Sequence, residues 1–112
     1  MKKVTVAPIV VIAIFLNAHF ALAQQGDANA GKAIFAKSCA TCHGADGNSP
    51  KEAIAKMLKA EIPPLSKSEV QAKSDGDLTK VITEGFQKMK PVKGLTDKDL
   101  RNVIAFVRTL KK

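Results

Sequence analysis

The chain has 112 residues and a formal net charge of +8, with 18 Lys and Arg against 10 Asp and Glu. Aromatic residues make up only 4% of it, and its two cysteines lie three positions apart, which excludes both a core rich in aromatic side chains and a disulfide framework that joins distant segments. Basic residues never occur in runs longer than two, which argues against nucleic-acid binding.

The N-terminal segment has the three parts of a secretory signal peptide. A basic start at Lys2-Lys3 precedes an unbroken apolar run, Ile9–Leu16, and Ala21-Leu22-Ala23 then supplies a small-x-small cleavage pattern. We therefore predict that residues 1–23 are a signal peptide, removed by cleavage after Ala23, and that residues 24–112 form one mature domain.

An uncleaved membrane anchor is the alternative for this segment. A spanning helix needs about 20 predominantly apolar residues, and Asn17 and His19 interrupt the stretch. Export to the periplasm is the favoured destination, with the thylakoid lumen or tethering through an uncleaved signal left open. Removal of His19 would leave His43 as the only histidine of the mature chain.

Apolar residues recur with helical spacing throughout the mature chain, and no stretch alternates with a period of two, so we predict an all-α domain. The expected helices are Asp27 (as N-cap) to Ser38, Lys51–Lys59, a brief helix opened by a capping box at Ser66–Glu69, Gly76–Glu84, and Asp97–Leu110 capped by Thr96. Residues 86–94 are predicted to be a loop.

The last of these helices has the clearest apolar stripe. Its inward positions are Leu100, Val103, Ile104, Val107 and Leu110, with Phe106 beside them. Gly31 lies on the expected inner face of the first helix, together with Ile34 and Phe35. Because glycine inside a helix costs about 1 kcal/mol relative to alanine, we expect another helix to approach closely at Gly31.

A CxxCH motif, Cys39-Ala40-Thr41-Cys42-His43, is the most informative feature of the sequence. This spacing is typical of c-type haem attachment. Each thiol can add to one haem vinyl group and form a thioether, and the adjacent imidazole can bind the iron. On a helix the two cysteines would share a face. A buried covalent haem would also add apolar volume and a cross-link to a domain with few aromatic residues.

Three other uses of the two cysteines are weaker. Structural zinc needs four ligands, and the mature chain offers only three Cys and His residues, all within five positions. A thioredoxin-like dithiol normally lies near a βαβ pattern, which is not seen. A disulfide between neighbours this close would add little stability.

The second axial ligand of a six-coordinate haem is predicted to be Met89. Methionine raises the reduction potential of a His-ligated haem, and Met89 lies in an irregular segment that can fold over the open face. Met57 occurs within a helical pattern, where methionine usually fills the core. Lys88 and Lys90 are further alternatives, but each would first have to lose a proton from a pKa of about 10.4.

The chain resembles the small class I cytochromes c, the short bacterial monohaem proteins. The resemblance spans almost the whole mature sequence and is carried by Ala30–Phe35, Cys39–Gly44, Pro63-Pro64-Leu65, Leu78–Gly85, Met89 and Leu95–Leu110. It implies the class I cytochrome c fold: all-α, with about four or five short helices around one covalently attached haem c, and with the N- and C-terminal helices crossing.

The resemblance also implies roles for individual residues. Cys39 and Cys42 would carry the thioethers, His43 would be the proximal iron ligand and Met89 the distal one. Gly31 and Phe35 would meet the last helix near Phe106, where the family often has Tyr or Trp. A proline carbonyl would accept a hydrogen bond from the proximal histidine, with candidates at Pro63, Pro64 and Pro50. The family's methionine is often followed directly by proline, whereas Lys90 stands here before Pro91.

The expected function is that of an exported one-electron carrier and not an enzyme. Its iron would cycle between Fe(III) and Fe(II) with both axial positions filled, and the basic surface would favour transient redox partners with acidic docking surfaces. We expect no nucleic-acid partner, no membrane span after cleavage, and a monomer. The alternative function is a haem enzyme or small-ligand sensor in which Met89 dissociates.

Overall fold

The computed structural model of the protein describes residues 2–4 and 25–112. The longer range contains helices joined by turns and loops: α1 (Ala28–Ser38), α2 (Ala40–His43), α3 (Glu52–Leu58), α4 (Ser68–Gln71), α5 (Asp75–Glu84) and α6 (Asp97–Thr109). The all-α prediction is confirmed there. The described residues contain more helices than the four or five expected, because the CxxCH segment forms a helical turn of its own.

The predicted signal peptide falls outside the described residues apart from residues 2–4, which are exposed and have no regular structure. None of the helices in the described part of the chain has the length and apolar character needed to cross a membrane.

The longer helices begin where local chemistry satisfies their free N–H groups. The Asp27 carboxylate accepts hydrogen bonds from the first turn of α1 at 2.9 and 3.2 Å. Thr96 and Asp99 form a reciprocal capping box at the start of α6. Ser74 caps α5, and this helix begins one residue earlier than predicted. These caps satisfy N–H donors that have no partner within the helix. The first and last helices, α1 and α6, therefore begin at the predicted residues.

The predicted capping box at Ser66 is wrong. α4 begins at Ser68, and Lys67 precedes it without any side-chain capping bond. The reason lies in the preceding loop, because the Ser66 N–H donates a 3.0 Å hydrogen bond to the Asn48 side chain. That bond holds Ser66 against the loop that follows the CxxCH motif, so the helix starts later.

The helices α1 and α6 cross in close contact, as the resemblance implied. Gly31 is buried at the crossing, and a Cβ at this position would overlap the carbonyl of Asn102. One turn further along, the rings of Phe35 and Phe106 pack with centroids 5.1 Å apart and planes tilted by 56°. Phe35 is only 1% exposed. Absence of a side chain at Gly31 thus lets the two backbones approach until the aromatic pair is enclosed.

The core continues along the predicted stripe of α6 and onto α5. Its buried side chains are Phe35, Val70, Leu78, Ile82, Leu100, Val103, Ile104, Phe106 and Val107. Half-buried side chains that include Cys39, Leu65 and Met89 pack against this cluster. The core therefore supports both sequence segments on which the candidate site depends.

Candidate functional site

The CxxCH motif occupies a single helical turn directly after α1. Cys39 breaks the first helix, although its N–H still donates to the Phe35 carbonyl at 2.9 Å. The Cys39 carbonyl then accepts from the N–H groups of Cys42 and His43, at 3.2 and 3.0 Å. Both thiols are free and half-buried. Cys42 and His43 thus lie in one short helical turn that Cys39 precedes as its N-cap.

Burial controls the protonation of this turn. It raises the pKa of the Cys39 thiol to about 11, with a further contribution from the neighbouring Cys42. Burial lowers the pKa of His43 below its usual value. At neutral pH Cys39 is therefore a protonated thiol and His43 a neutral imidazole, because a low dielectric disfavours the charged form of each. A neutral imidazole is the form that binds metals.

The imidazole of His43 lies beside the core and has an unpaired nitrogen. Its ring centroid is 6.3 Å from that of Phe35. The buried Nδ1 atom has no hydrogen-bond partner among the described residues. The expected hydrogen bond to a carbonyl of Pro63, Pro64 or Pro50 is therefore not formed in this structure. Polar atoms buried without a partner are uncommon in folded proteins.

The loop after the motif folds back onto it. Gly44 has a φ of +78°, and a Cβ there would overlap the Ser49 carbonyl. The N–H of Lys51 donates to the Cys42 carbonyl at 3.0 Å, and the Asp46 carboxylate accepts from the N–H and the hydroxyl of Ser49, both at 2.9 Å. This close loop fixes the orientation of the CxxCH turn from its C-terminal side.

Met89 closes a tight turn that packs against the same core cluster as Cys39. Its N–H donates to the Phe86 carbonyl at 2.8 Å, and its carbonyl accepts from the Phe86 N–H at 3.0 Å. Three residues after Met89, the N–H of Val92 donates to the Ile82 carbonyl at 2.7 Å. The segment predicted as a loop is thus a defined hairpin-like turn, and Met89 is half-buried in it.

The rival ligands of the second axial position are placed differently. Met57 is 70% exposed, so the interpretation of this residue as core filler is wrong. The reason is that α3 buries no residue: only Ile54 and Leu58 of its large apolar positions are even half-buried. Lys88 and Lys90 are the neighbours of Met89 in sequence, and Lys88 is exposed.

The described residues give no support to zinc or thiol redox chemistry. No group of three or more Cys, His, Asp or Glu side chains within them is arranged to hold a metal ion. Residues 25–112 also contain no βαβ unit, since their β-structure is limited to the isolated bridge between Phe86 and Met89. Two free thiols, a neutral imidazole with an unpaired nitrogen, and a packed thioether instead suit a covalently attached haem.

Sequence reasoning missed three polar side chains that hold the elements of the site in place. Asn102 is only 6% exposed, and its side-chain oxygen accepts a 2.8 Å hydrogen bond from the Asp27 N–H. Gln71 donates to the carbonyls of Leu65 and Val107, at 2.8 and 2.9 Å. The Arg108 guanidinium donates a hydrogen bond to the Lys73 carbonyl, in the segment that follows α4. Only Asn102 had a usable signal, because it lies four residues before the inward-facing Phe106.

Comparison with known proteins agrees with this geometry. Residues 26–107 match the family model described as cytochrome c oxidase, cbb3-type, subunit III. The chain is 34% identical over 94 residues to cytochrome c-554(547) of Halothiobacillus neapolitanus, an alignment that covers 77% of this chain and 99% of that protein.

Two solved structures are also similar. The KustC0563 c-type cytochrome superposes with a TM-score of 0.61 at 33% identity, covering 73% of this chain and 98% of that one. A tyrosine-to-phenylalanine mutant of Kustc0563 superposes with a TM-score of 0.58 at 31% identity, covering 72% of this chain and 98% of that one.

The fold and the motif define a c-type cytochrome. The chain belongs to the family of small class I cytochromes c, and its described residues have that family's all-α fold. Membership implies haem c as the cofactor and other redox proteins as partners.

Proposed function

We propose that the mature protein is an exported monohaem cytochrome c that carries single electrons between redox proteins and is not an enzyme. The observation that carries the proposal is the placement of two distant segments on one core. Cys39 and Met89 both pack against the hydrophobic cluster formed by α1, α4, α5 and α6. This shared support favours a haem that is attached at the first segment and ligated by a residue of the second.

Each side chain would have a defined part in holding haem c. Cys39 and Cys42 would form the two thioethers, and the neutral His43 would supply the proximal nitrogen. Met89 would supply a distal thioether, a ligand that raises the reduction potential relative to two histidines. The bound haem would supply a one-electron Fe(III)/Fe(II) couple. With both axial positions filled by protein, no position remains for a substrate.

The charge of the chain supports transient association with acidic proteins. The formal net charge is +8, and it falls by two if Lys2 and Lys3 leave with the signal peptide. Lys88 and Lys93 are exposed near Met89. Such a field speeds encounter with negatively charged partners, and redox encounters typically bury less than about 1,200 Å². We propose that the protein works as a monomer in the periplasm after cleavage at Ala23.

Visible absorption spectra of the exported, matured protein test this proposal, recorded in both oxidation states beside Met89→Ala and Met57→Ala. A covalent low-spin haem with the weak red methionine–Fe(III) band is expected in the wild type. That band should vanish in Met89→Ala and persist in Met57→Ala. Intact mass should show one haem per chain. A high-spin wild type, or prompt binding of carbon monoxide to its reduced form, would contradict electron transfer and indicate an enzyme or ligand sensor.

A further inference from the structure

The turn that carries Met89 uses both of that residue's backbone hydrogen-bonding groups. Its N–H and carbonyl pair with the carbonyl and N–H of Phe86, at 2.8 and 3.0 Å. Only Gln87 and Lys88 lie between them, so this is a two-residue connection. The direction in which the Met89 side chain leaves the backbone is therefore set by the conformation of the turn itself.

Gly85 lets this turn lie against the end of α5. Its φ is +83°, and its N–H donates the closing bond of the helix to the Val81 carbonyl at 3.0 Å. A Cβ on Gly85 would lie 2.7 Å from the Met89 carbonyl oxygen and 3.0 Å from Cδ of Pro91. Real Cβ atoms essentially never approach oxygen so closely. Any side chain at position 85 must push away the backbone of Met89.

Gln87 supplies the other unusual backbone angle. Its φ is +51°, in the left-handed region that residues other than glycine rarely adopt. Two-residue turns that match the twist of a hairpin need a positive φ at their first central residue. The side chain of Gln87 is exposed, so burial of that side chain does not hold the angle. The closing bonds between Phe86 and Met89 hold it.

We propose that Gly85 and Gln87 are positioning residues for the Met89 thioether, and this inference rests on the proposed function in which Met89 is the distal ligand. Gly85 acts by leaving room for the Met89 carbonyl. Gln87 acts through its positive φ, which closes the turn at a cost in backbone strain, so the backbone angle and not the side chain positions Met89. The pair fixes the Met89 backbone before haem is attached. The thioether thus meets the iron without the ordering of a flexible loop.

Gly85→Ala and Gly94→Ala form a matched pair for the test. Gly94 has the same φ of +83° but no heavy atom within 4 Å of the position that a Cβ would occupy, so alanine there brings backbone strain without a collision. In exported, matured protein, Gly85→Ala should lose most of the red methionine–Fe(III) band and lower the reduction potential. Its reduced form should bind carbon monoxide about tenfold faster, a factor that strain of this size can produce. Gly94→Ala should keep the wild-type band and potential.

The outcomes separate the two proposals. An intact red band in the wild type together with an unchanged Gly85→Ala overturns the positioning role but leaves Met89 as a ligand. Equal losses in both alanine variants also overturn it, because strain alone would then suffice. A wild type without the band overturns the proposed function itself.

A second variant keeps the inference testable if Gly85→Ala does not mature. Gln87→Gly removes the strain at the left-handed position. Displacement of the methionine by added imidazole, followed through the red band, should then need an about threefold higher imidazole concentration than in the wild type. An unchanged or lower midpoint would overturn the role of Gln87.

Discussion

The backbone N–H of Asp27 donates a 2.8 Å hydrogen bond to the side-chain oxygen of Asn102, across 75 positions of sequence. Asp27 is also the cap of α1, while Asn102 is the buried polar residue of α6. A single amide oxygen therefore sets where the first helix begins relative to the last. Gly26 and Gly31 flank the contact, each facing backbone of α6 too closely for a side chain.

Asn102→Ala should destabilise the haem-containing protein by about 1–2 kcal/mol, because the Asp27 N–H loses its partner and a small cavity remains. Chemical denaturation measured by far-ultraviolet circular dichroism gives the comparison. Lys98→Ala, an exposed position on the same helix, should change stability by less than about 0.5 kcal/mol. Equal midpoints for the two variants would contradict a structural role for the Asn102 bond.

Gly31→Ala should destabilise the fold by about 1–3 kcal/mol despite the better helix propensity of alanine, because α1 and α6 must separate to admit the methyl group. Gly76→Ala is the matched control inside α5. Its Cβ would meet only the Ser74 hydroxyl, at 3.8 Å, so it should be neutral or stabilising by up to about 1 kcal/mol. The thermal and denaturant midpoints should therefore fall in Gly31→Ala and stay unchanged or rise in Gly76→Ala.

Asp46 should contribute to stability only above acidic pH. Hydrogen bonds from the Asn48 N–H first, and then from the Ser49 hydroxyl, hold the pKa of its carboxyl below the usual value. The folded-state pKa thus lies below the unfolded value, so this contribution is complete above the unfolded pKa and is lost as pH falls through the folded one.

The expected consequence is a smaller loss of stability in acid for Asp46→Asn. The variant should be less stable than wild type at neutral pH, and the difference between their urea midpoints should narrow as the pH falls below the usual carboxyl pKa of about 3.9. Glu61→Gln changes an exposed carboxyl and is the control for net charge. A difference that stays constant across this range would contradict the assignment.

Arg108 should stabilise the fold mainly through backbone carbonyls. Its guanidinium donates to the Gln71 and Lys73 carbonyls at 2.9 and 2.6 Å, as well as to the Asp75 carboxylate at 2.7 Å. Because Asp75 is largely exposed, its ion pair is worth at most about 1 kcal/mol. The fork of Arg108 reaches three acceptors at once, which a lysine ammonium cannot reproduce.

Arg108→Lys is therefore expected to cost about 1–2 kcal/mol, and Asp75→Asn distinctly less. Raising the salt concentration should change the cost of Arg108→Lys very little, since salt screens exposed ion pairs but not hydrogen bonds to carbonyls. Denaturant midpoints at low and high ionic strength measure both effects. A cost that disappears at high salt would assign the stability to the ion pair instead.

Local signals explain why much of this molecule was predictable. The caps at Asp27 and Thr96, the apolar stripe of α6 and the buried Gly31 are each encoded within a few residues, and all are as expected. The CxxCH turn is equally local, so its compact geometry follows from its own sequence.

Features that depend on distant partners were not predictable. The start of α4 is decided by Asn48 rather than by a capping box at Ser66, and Met57 is exposed although its spacing is helical. Gln71 and Arg108 bridge α4 and α6 through hydrogen bonds to backbone carbonyls. Because every residue has a carbonyl, the sequence does not indicate which one is bound. The turn around Met89 is local, but it could be named only as a loop because its positive φ falls on Gln87 and not on a glycine that would signal a tight turn.

The crossing of α1 and α6 has a consequence for the order in which the protein assembles. The imidazole of His43 in the CxxCH turn lies beside the ring of Phe35. The Phe35 ring also packs on Phe106, near the end of the chain. The motif is therefore synthesised well before the residues that enclose it, since Phe106 follows His43 by 63 positions. Until the last helix is made, Cys39 belongs to a segment that lacks its main packing partner, and completion of the chain then closes the core beside the motif.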